Sequence, residues 1–265
     1  MTISDPNQNK PSYDQLVQQN QALLQELEVI KAEKKMLWLT MAGTNRRLQM
    51  SSAAIKAAVS SLLNYDIFWD GANQHEFLET INTSIDQAGK LVKLLTLAFR
   101  LEAGNLVLKR EPQVLQEIVS VVQDHTANHF PNLVLGVTLP QEGAPVLVDY
   151  ELLMIALDFL LEVIERMDVH RIGINAIEEP NQWILQFEGL DYRTVQLIHK
   201  AFQNDLDPGS ASNSIPPENL LRLHVIGQIL NLEEIQIEAP DISNNSPKLR
   251  LVIPAQLSSE NSLMR

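Results

Sequence analysis

A seven-residue repeat of apolar side chains begins at Tyr13 and limits what the first part of this chain can become. One seam position carries Leu16, Leu23, Ile30 and Leu37, and the other carries Tyr13, Asn20, Leu27, Lys34, Met41 and Leu48. No glycine or proline interrupts residues 13–41, so the spacing predicts one continuous helix whose seam packs in a coiled coil. Asn20 and Lys34 favour a parallel dimer, because a polar seam residue fixes register and strand number. An amphipathic helix packed within its own monomer is the alternative.

The same phase continues through Ile55 and Leu62, which extends the predicted helix without a break. Asp70, Gly71 and Asn73 then supply turn chemistry, and apolar residues recur beyond them at helical spacing. These residues are Phe77, Ile81, Ile85, Ala88, Leu91, Val92, Leu95 and Ala98. We expect a helical hairpin in each subunit, and two hairpins would bury their apolar stripes in a dimeric four-helix bundle.

Residues 101–112 read LEAGNLVLKREP and resemble the segment that follows the second bundle helix of sensor histidine kinases, the kinases of two-component systems. In that family the segment commonly reads R-L-E-A-G-x-L-x-L-x-x-x-P. Gly104 is suited to cap the helix, and Leu106 and Leu108 alternate as in a short strand that leads out through Pro112.

The order of the later elements is similar to the ATPase-like α/β sandwich of the same family. Helices are predicted at 114–125, 151–167, 194–202 and 220–230, and strands at 133–139, 146–149, 171–177, 183–187, 235–238 and 248–253. The expected fold class is α+β. We divide the chain into a disordered tail at 1–12, a coiled coil at 13–50, a phosphotransfer-like hairpin at 51–104, a degenerate ATPase-like domain at 105–256 and a disordered tail at 257–265.

The resemblance locates the phosphoacceptor position on the first bundle helix, and the residue there cannot accept phosphate. In the family, a motif similar to S-H-E-I-R-T-P-L-S-S-I supplies an imidazole nucleophile and an acidic neighbour. Aligned on Ile55, this chain has Ala53 for the histidine, Ala54 for the acidic residue and Ala58 for the proline that bends the helix. We interpret the nearby serines, Ser51, Ser52, Ser60 and Ser61, as packing residues.

The positions that would hold Mg²⁺ and adenine have also changed. Phe159 and Val163 stand where the family has two asparagines, and neither side chain can coordinate a metal. We interpret Glu162, between them, as a solvated carboxylate. The adenine motif D-x-G-x-G aligns with a strand end that keeps one glycine, Gly189. Either Glu188 or Asp191 is a candidate for adenine, and a plain turn is the alternative that we favour.

The last glycine motif, similar to G-T-G-L-G-L, places bare amides at a helix start in the family. Here it aligns with Glu218, Asn219, Leu220, Leu221, Arg222 and Leu223. Side chains would crowd the phosphate path, and Glu218 would repel a triphosphate. Residues 205–217, at the position of the ATP lid, have the composition of a loop. We therefore expect neither ATP nor Mg²⁺ as a cofactor.

Composition narrows the partners. A net charge of −13 argues against nucleic acid and anionic lipid, and the absence of cysteine excludes disulfides and thiol chemistry. No run of about 18 apolar residues predicts membrane insertion, so we expect a cytoplasmic protein. Among the histidines, His125 and His129 come nearest to a metal pair, and only Asp124 stands near them. We predict no metal, and we interpret His75 as a surface residue.

Changes at four chemical positions, with the apolar spacing retained, predict a non-catalytic protein of the histidine kinase type. We expect a homodimer that binds the receiver domain of a response regulator around residues 51–63, or that pairs with a true histidine kinase through the coiled coil. The alternative is an atypical sensor histidine kinase that retains ATP binding and autophosphorylation. A phosphotransfer protein would require the histidine that Ala53 replaces. A fourth hypothesis is that the nucleotide cavity, which is more apolar here than in the family, binds another small molecule.

Overall fold

The computed structural model describes residues 13–64, 71–140, 145–203, 215–238 and 247–255. The predicted tails at 1–12 and 257–265, and residues 205–214 of the predicted lid loop, lie outside these residues. The described part contains six helices, namely α1 (Tyr13–Asn64), α2 (Gly71–Glu102), α3 (Leu115–His129), α4 (Tyr150–Glu165), α5 (Tyr192–Phe202) and α6 (Pro217–Leu232). It contains seven strands, namely β1 (Glu111–Val114), β2 (Val134–Thr138), β3 (Pro145–Val148), β4 (Arg171–Glu179), β5 (Gln182–Glu188), β6 (Gln236–Ile237) and β7 (Leu249–Pro254).

The chain divides into two compact units, residues 1–39 and residues 40–265. In the first unit, helix α1 carries several exposed apolar side chains, and Leu23, Leu27 and Ile30 of the predicted seam are among them. Asn20 is also exposed, whereas Leu37 is buried. In the second unit, Met41 is buried and Leu48 and Ile55 are half-buried within the single chain. The coiled coil itself stays a prediction.

Helices α1 and α2 form the predicted hairpin. Ser51 Oγ on α1 donates a hydrogen bond of 2.9 Å to the backbone oxygen of Ser84 on α2. Ser51 lies 13 residues before the end of α1 (64 − 51), and Ser84 lies 13 residues after the start of α2 (84 − 71). Equal distances from the connection are what two antiparallel helices require. The continuous first helix is confirmed, since α1 runs unbroken past Ala58.

The predicted turn is shorter than expected, because Gly71 and Asn73 belong to α2 rather than to the connection. The other end of α2 is as predicted. Gly104 has a φ of +64°, its N–H bonds to the oxygen of Leu101, and the N–H of Asn105 reaches the oxygen of Arg100. This pair of bonds is a Schellman motif, in which glycine adopts the left-handed conformation at no steric cost.

Helix α2 has two apolar faces. One is buried within the chain and includes Leu91, Leu94, Leu97 and Ala98. The other is an exposed stripe at intervals of seven residues, which we call the α2 stripe: Leu78, Ile85, Val92 and Phe99, each 48–51% exposed. The predicted face had grouped Ile85 and Val92 with Leu91, but the structure separates them. A helix with a second, uncovered apolar face is typical of a bundle that continues into another chain.

The α/β part contains two sheets. A five-stranded sheet has the order β2-β4-β5-β7-β6, in which β2 and β4 are parallel and the other neighbours are antiparallel. A two-stranded antiparallel sheet joins β1 to β3, with Pro112 opposite Leu147. The predicted strand at Leu106 and Leu108 is wrong, because the chain pairs only further on, at β1.

The core of this part lies between the helices and the five-stranded sheet. Side chains that are almost fully buried come from every layer, including Ile118 on α3, Leu160 on α4, Ile229 on α6, and Phe187 and Leu251 in the sheet. Helix α4 packs closely against both α3 and α6. The predicted α+β fold class is confirmed, as a helical hairpin followed by an α/β sandwich. None of the helices in the described ranges is long and apolar enough to cross a membrane.

Candidate functional site

Helix α4 positions the first group of predicted site residues. Asp149 precedes the helix and caps it, since its Oδ1 accepts a hydrogen bond of 3.2 Å from the backbone N–H of Leu152. Capping by a carboxylate satisfies an amide that the first turn leaves without a partner. From this start, α4 places Val163 in the core with no exposed surface, while Phe159 remains half-exposed. Neither position offers an oxygen to a metal.

Glu162, between these two residues, forms a buried ion pair with Arg222 of α6. Arg222 Nε donates to Oε2 at 2.9 Å and Nη2 donates to Oε1 at 2.8 Å, which is a bidentate geometry. Both residues are at most 5% exposed. The interpretation of Glu162 as a solvated carboxylate is therefore wrong. The partner lies 60 residues further along the chain, so the sequence alone does not reveal it.

Arg222 is held on several sides. Its Nη1 donates to Asn219 Oδ1 at 3.3 Å, and its guanidinium carbon lies 5.9 Å from the centre of the Phe159 ring. Burial lowers the pKa of Arg222, and the carboxylate of Glu162 opposes this shift by favouring the charged form. A cation over an aromatic face is attracted by the ring quadrupole. Phe159 thus supports the arginine that pairs with Glu162.

Glu218 is the second buried carboxylate, at 1% exposure in the first turn of α6. Its Oε1 accepts hydrogen bonds from Arg47 of α1 and, at 3.4 Å, from Nη1 of Arg166. Arg166 also donates to Glu162 Oε1 at 2.8 Å. The two carboxylates and three arginines form one network, which we call the arginine network: Arg47, Glu162, Arg166, Glu218 and Arg222.

The start of α6 has little capacity to bind a phosphate. Its first residue, Pro217, has no N–H. The amides of Asn219 and Leu220 both donate to the oxygen of Pro216, at 2.9 Å and 3.3 Å. Gly43 of α1 lies against Pro217 so closely that a Cβ at position 43 would come within 2.6 Å of the proline ring. Two amides of the first turn, those of Asn219 and Leu220, are therefore engaged, and the carboxylate of Glu218 stands beside them.

The end of β5 forms a tight turn. Gly189 has a φ of +87°, and a Cβ there would lie 2.7 Å from the backbone oxygen of Arg171. Glu188 accepts hydrogen bonds from Gln186 at 2.7 Å and from Lys248 at 2.8 Å. The Lys248 ammonium is the main cause that lowers the pKa of Glu188. Both bonds keep this carboxylate charged and engaged at the edge of the turn.

Asp191 caps helix α5 by accepting a hydrogen bond of 2.6 Å from the N–H of Thr194. This bond lowers the pKa of Asp191, because it favours the charged carboxylate. Glu188 and Asp191, the two candidates for adenine, therefore each have a structural role in the turn.

The exposed residues Ala53 and Ala54 lie on α1, next to a cavity of about 620 Å³. The wall of this cavity includes Ala54, Ser51, Ser84, Lys90 and the arginine network residues Arg47, Arg166, Glu218 and Arg222. Among the described residues that line it, there is no imidazole, and cations outnumber carboxylates. The arrangement could hold a small anion, but these lining residues include no histidine that could accept a phosphoryl group.

The histidine pair His125 and His129 is stacked, with ring centroids 3.9 Å apart. His125 Nδ1 lies 3.0 Å from Asp158 Oδ1, and burial raises the pKa of Asp158. In the described part of the chain, no group of three or more His, Asp or Glu side chains is arranged to hold a metal ion. His75 is exposed, as predicted.

Sequence reasoning missed a second set of contacts, which connects the segment after α2 to the end of α6. Arg110 pairs with Glu233 at 3.3 Å and with Glu234 at 3.0 Å, and it also donates to the oxygen of Leu232. Glu233 accepts a bond of 3.3 Å from the N–H of Asp149, and burial raises the pKa of Glu233. In the sequence, Arg110 within residues 109–112 (KREP) was the feature that could have indicated these contacts.

Solved structures of histidine kinases are similar to this chain in architecture, although its sequence shows no relative. The sequence matches no known protein-family profile, and no curated protein is recognisably similar in sequence. Among solved structures, histidine kinase AdeS of Acinetobacter baumannii is similar over 79% of this chain and 98% of its own, with a TM-score of 0.54 at 16% identity. Full-length ShkA, solved in complex with AMPPNP, is similar over 85% of this chain with a TM-score of 0.53 at 9% identity. The chain spans about half of ShkA, namely 47%.

At this level of identity the likeness concerns the fold. The chain has the histidine kinase fold, a helical hairpin followed by an ATPase-like α/β sandwich. The arginine network is built from side chains of both parts, α1 of the hairpin and α4 and α6 of the sandwich.

Proposed function

We propose that this chain is a two-component signalling protein of the histidine kinase family that acts by binding and does not transfer phosphate. It would act in the cytoplasm as a homodimer, and its partner would be the receiver domain of a response regulator. The observation that carries this proposal is the arginine network. Two of its members, Glu218 and Arg222, stand where the resemblance places glycines, and Glu162 lies between Phe159 and Val163, which stand where it places asparagines.

The network supports the absence of catalysis through its energetics. A nucleotide phosphate that approached α6 would meet the buried Glu218, and Mg²⁺ would meet Phe159 and Val163. Freeing Arg222 to bind phosphate would break its bidentate pair with Glu162, and removing one partner from a buried pair costs about 3–5 kcal/mol. Ala53 adds an independent obstacle, since it cannot accept a phosphoryl group.

Two exposed apolar surfaces support the homodimer. The α2 stripe repeats every seven residues, and so do Leu23 and Ile30 on one position of the exposed α1 seam, with Leu27 on the other position between them. The seven-residue interval of both surfaces is the period of a helical supercoil. A second copy packed on the α2 stripe would complete a four-helix bundle.

The receiver domain is proposed to dock on the hairpin around residues 51–63, because binding at this surface does not require a bound nucleotide. Lys56 and Val59 are exposed there and give it a mixed charged and apolar character. Pull-down of the full chain with the receiver domains of its own organism tests this proposal. Lys56→Glu with Val59→Asp is expected to abolish capture, and the control Lys35→Glu to preserve it. If neither the native chain nor the control captures a receiver domain, receiver docking is contradicted.

A second candidate partner is a true histidine kinase that pairs through the coiled coil. Leu23, Leu27 and Ile30 would then face a different chain. Co-expression with the organism's kinases, followed by size-exclusion chromatography, separates mixed dimers from homodimers. A mixed dimer that survives dilution would replace the receiver proposal.

The catalytic alternative is an atypical kinase with residual ATP binding and autophosphorylation. The remaining hydroxyls, Ser52 among them, would have to act as acceptors. Incubation with labelled ATP and Mg²⁺ decides between the two functions. We expect no labelled protein, whereas label that resists heat denaturation and disappears in an acceptor variant would establish a kinase.

A further inference from the structure

A second cavity lies between α2, α3 and α4 and has a volume of about 560 Å³. This volume falls within the range of roughly 300–1,000 Å³ that is common for small-molecule sites. Apolar side chains from α4 and from the end of α3, Ile155, Phe159 and Phe130, line one part of it. Phe159 and Ile155 are only half-buried, so the cavity leaves aromatic and aliphatic surface uncovered.

The opposite wall is basic. Lys90, Lys93 and Arg100, all on α2, line the cavity and are exposed. None of the three forms a salt bridge with another described residue. In a protein with a net charge of −13, three cations without a salt bridge on one wall are a local exception. One of them, Lys90, attracts the nearby carboxylate of Asp158 without contacting it.

The acidic groups in the cavity are already engaged. Glu162 is paired with Arg222 and Arg166, and Asp158 faces His125 at 3.0 Å. The stacked ring of His129 adds a flat surface beside them. The cavity therefore combines an apolar part with three cations on α2. Of its two carboxylates, Glu162 is paired with arginines and Asp158 lies beside His125.

We propose that this cavity binds a small aromatic anion, whose ring lies against Phe159 and Ile155 and whose acidic group faces Lys93 and Arg100. The class includes aromatic carboxylates. The proposed ligand contacts differ from those of receiver docking, whereas Val92 of the α2 stripe lines the cavity and also belongs to the proposed dimer surface. Such a ligand would contact both the hairpin and the sandwich, so its binding would stabilise their contact.

Titration of the full chain with 2-naphthoate and with its uncharged analogue 2-naphthamide tests the proposal by calorimetry and saturation-transfer NMR. We expect naphthoate to bind one site per chain at least about tenfold more tightly than naphthamide, a difference of about 1.4 kcal/mol. Lys93→Glu with Arg100→Glu should remove this preference and leave naphthamide binding within about twofold.

The matched control is Arg46→Glu with Lys35→Glu, two exposed residues of α1 that do not line the cavity and that change the net charge equally. It should keep the preference for naphthoate. All substituted residues are exposed, and circular dichroism verifies folding. Equal affinity for the two compounds, equal losses in both variants, or no saturable binding of naphthoate overturns the proposal.

Discussion

The hairpin and the sandwich distribute their side chains in opposite ways. On the hairpin, large apolar residues such as Ile85 and Phe99 are exposed on the α2 stripe. In the sandwich, charged residues such as Glu162, Glu218 and Arg222 are buried and paired. Exposed apolar surface of this size is often an interaction site, whereas a buried charge needs a partner within the fold. The contrast supports the proposal that the hairpin binds a second copy and that the sandwich has lost its nucleotide site.

The largest expected effect concerns the buried ion pair between Glu162 and Arg222. Arg222→Ala should lower the free energy of unfolding by about 3–5 kcal/mol, because it leaves Glu162 without its bidentate partner in a buried place. Urea denaturation measures the loss.

The double variant Arg222→Met with Glu162→Leu is the control, since replacing a buried pair by apolar residues is often neutral or stabilising. It should recover most of the stability that the single variant loses. A loss of less than about 1 kcal/mol in the single variant would show that the pair contributes little to the stability of the sandwich.

The next effect concerns assembly. Ile85→Asp with Phe99→Asp should weaken the homodimer by at least about a hundredfold, because burial of each large apolar side chain contributes about 1.5–3 kcal/mol. Sedimentation equilibrium measures the dissociation constant. Ile85→Val with Phe99→Leu is the conservative control and should remain dimeric. A native chain that sediments as a monomer at micromolar concentration would refute this role of the α2 stripe.

A smaller effect is expected at the turn after β5. Gly189→Ala should cost about 1–3 kcal/mol, because the residue has a φ of +87° and a Cβ would meet the oxygen of Arg171. Thermal unfolding detects the change. Gly136→Ala in β2 is the control, where the nearest atom to a Cβ is 3.8 Å away. Similar losses at both glycines would mean that the turn is not the constraint.

The smallest effect is the cap of α5. Asp191→Ala should cost about 1 kcal/mol at neutral pH, as is typical for an N-cap. The folded pKa of Asp191 is lowered, so this stability is present above the unfolded pKa of 3.8 and is lost as pH falls through the folded pKa.

Urea denaturation of both chains between pH 7 and pH 2 should therefore show their stabilities converging in acid. Asp191→Asn keeps a capping oxygen, so it should retain most of the stability with no such pH dependence. A constant difference between the native chain and Asp191→Ala across this range would argue against the cap as its cause.

The element order could be predicted because periods of seven, 3.6 and two residues are local properties of the chain. Gly71 was assigned to a turn because glycine usually marks one, although it begins α2 here. Leu106 and Leu108 alternate as a strand does, but β3 pairs with residues 111–114 instead. Pairing is a property of two segments, and a single segment does not determine it.

The candidate site was less predictable for the same reason. The residues at the aligned positions, such as Phe159 and Glu218, could be identified from sequence, but their partners could not. Glu162 was interpreted as solvated because its partner Arg222 lies 60 residues away. Arg47, which reaches Glu218 across 171 residues, carried no local signal. The sequence identifies the residues at the aligned positions, and the structure shows which contacts these residues make.

Titration of the full chain with AMPPNP and Mg²⁺ by calorimetry tests whether this chain binds a nucleotide. ShkA, solved in complex with AMPPNP, is the positive control. We predict no saturable heat for this chain under conditions in which ShkA binds. Saturable binding of one AMPPNP per chain, weakened by a substitution at Phe159 or Arg222, would contradict the proposed loss of nucleotide binding and would favour an atypical kinase.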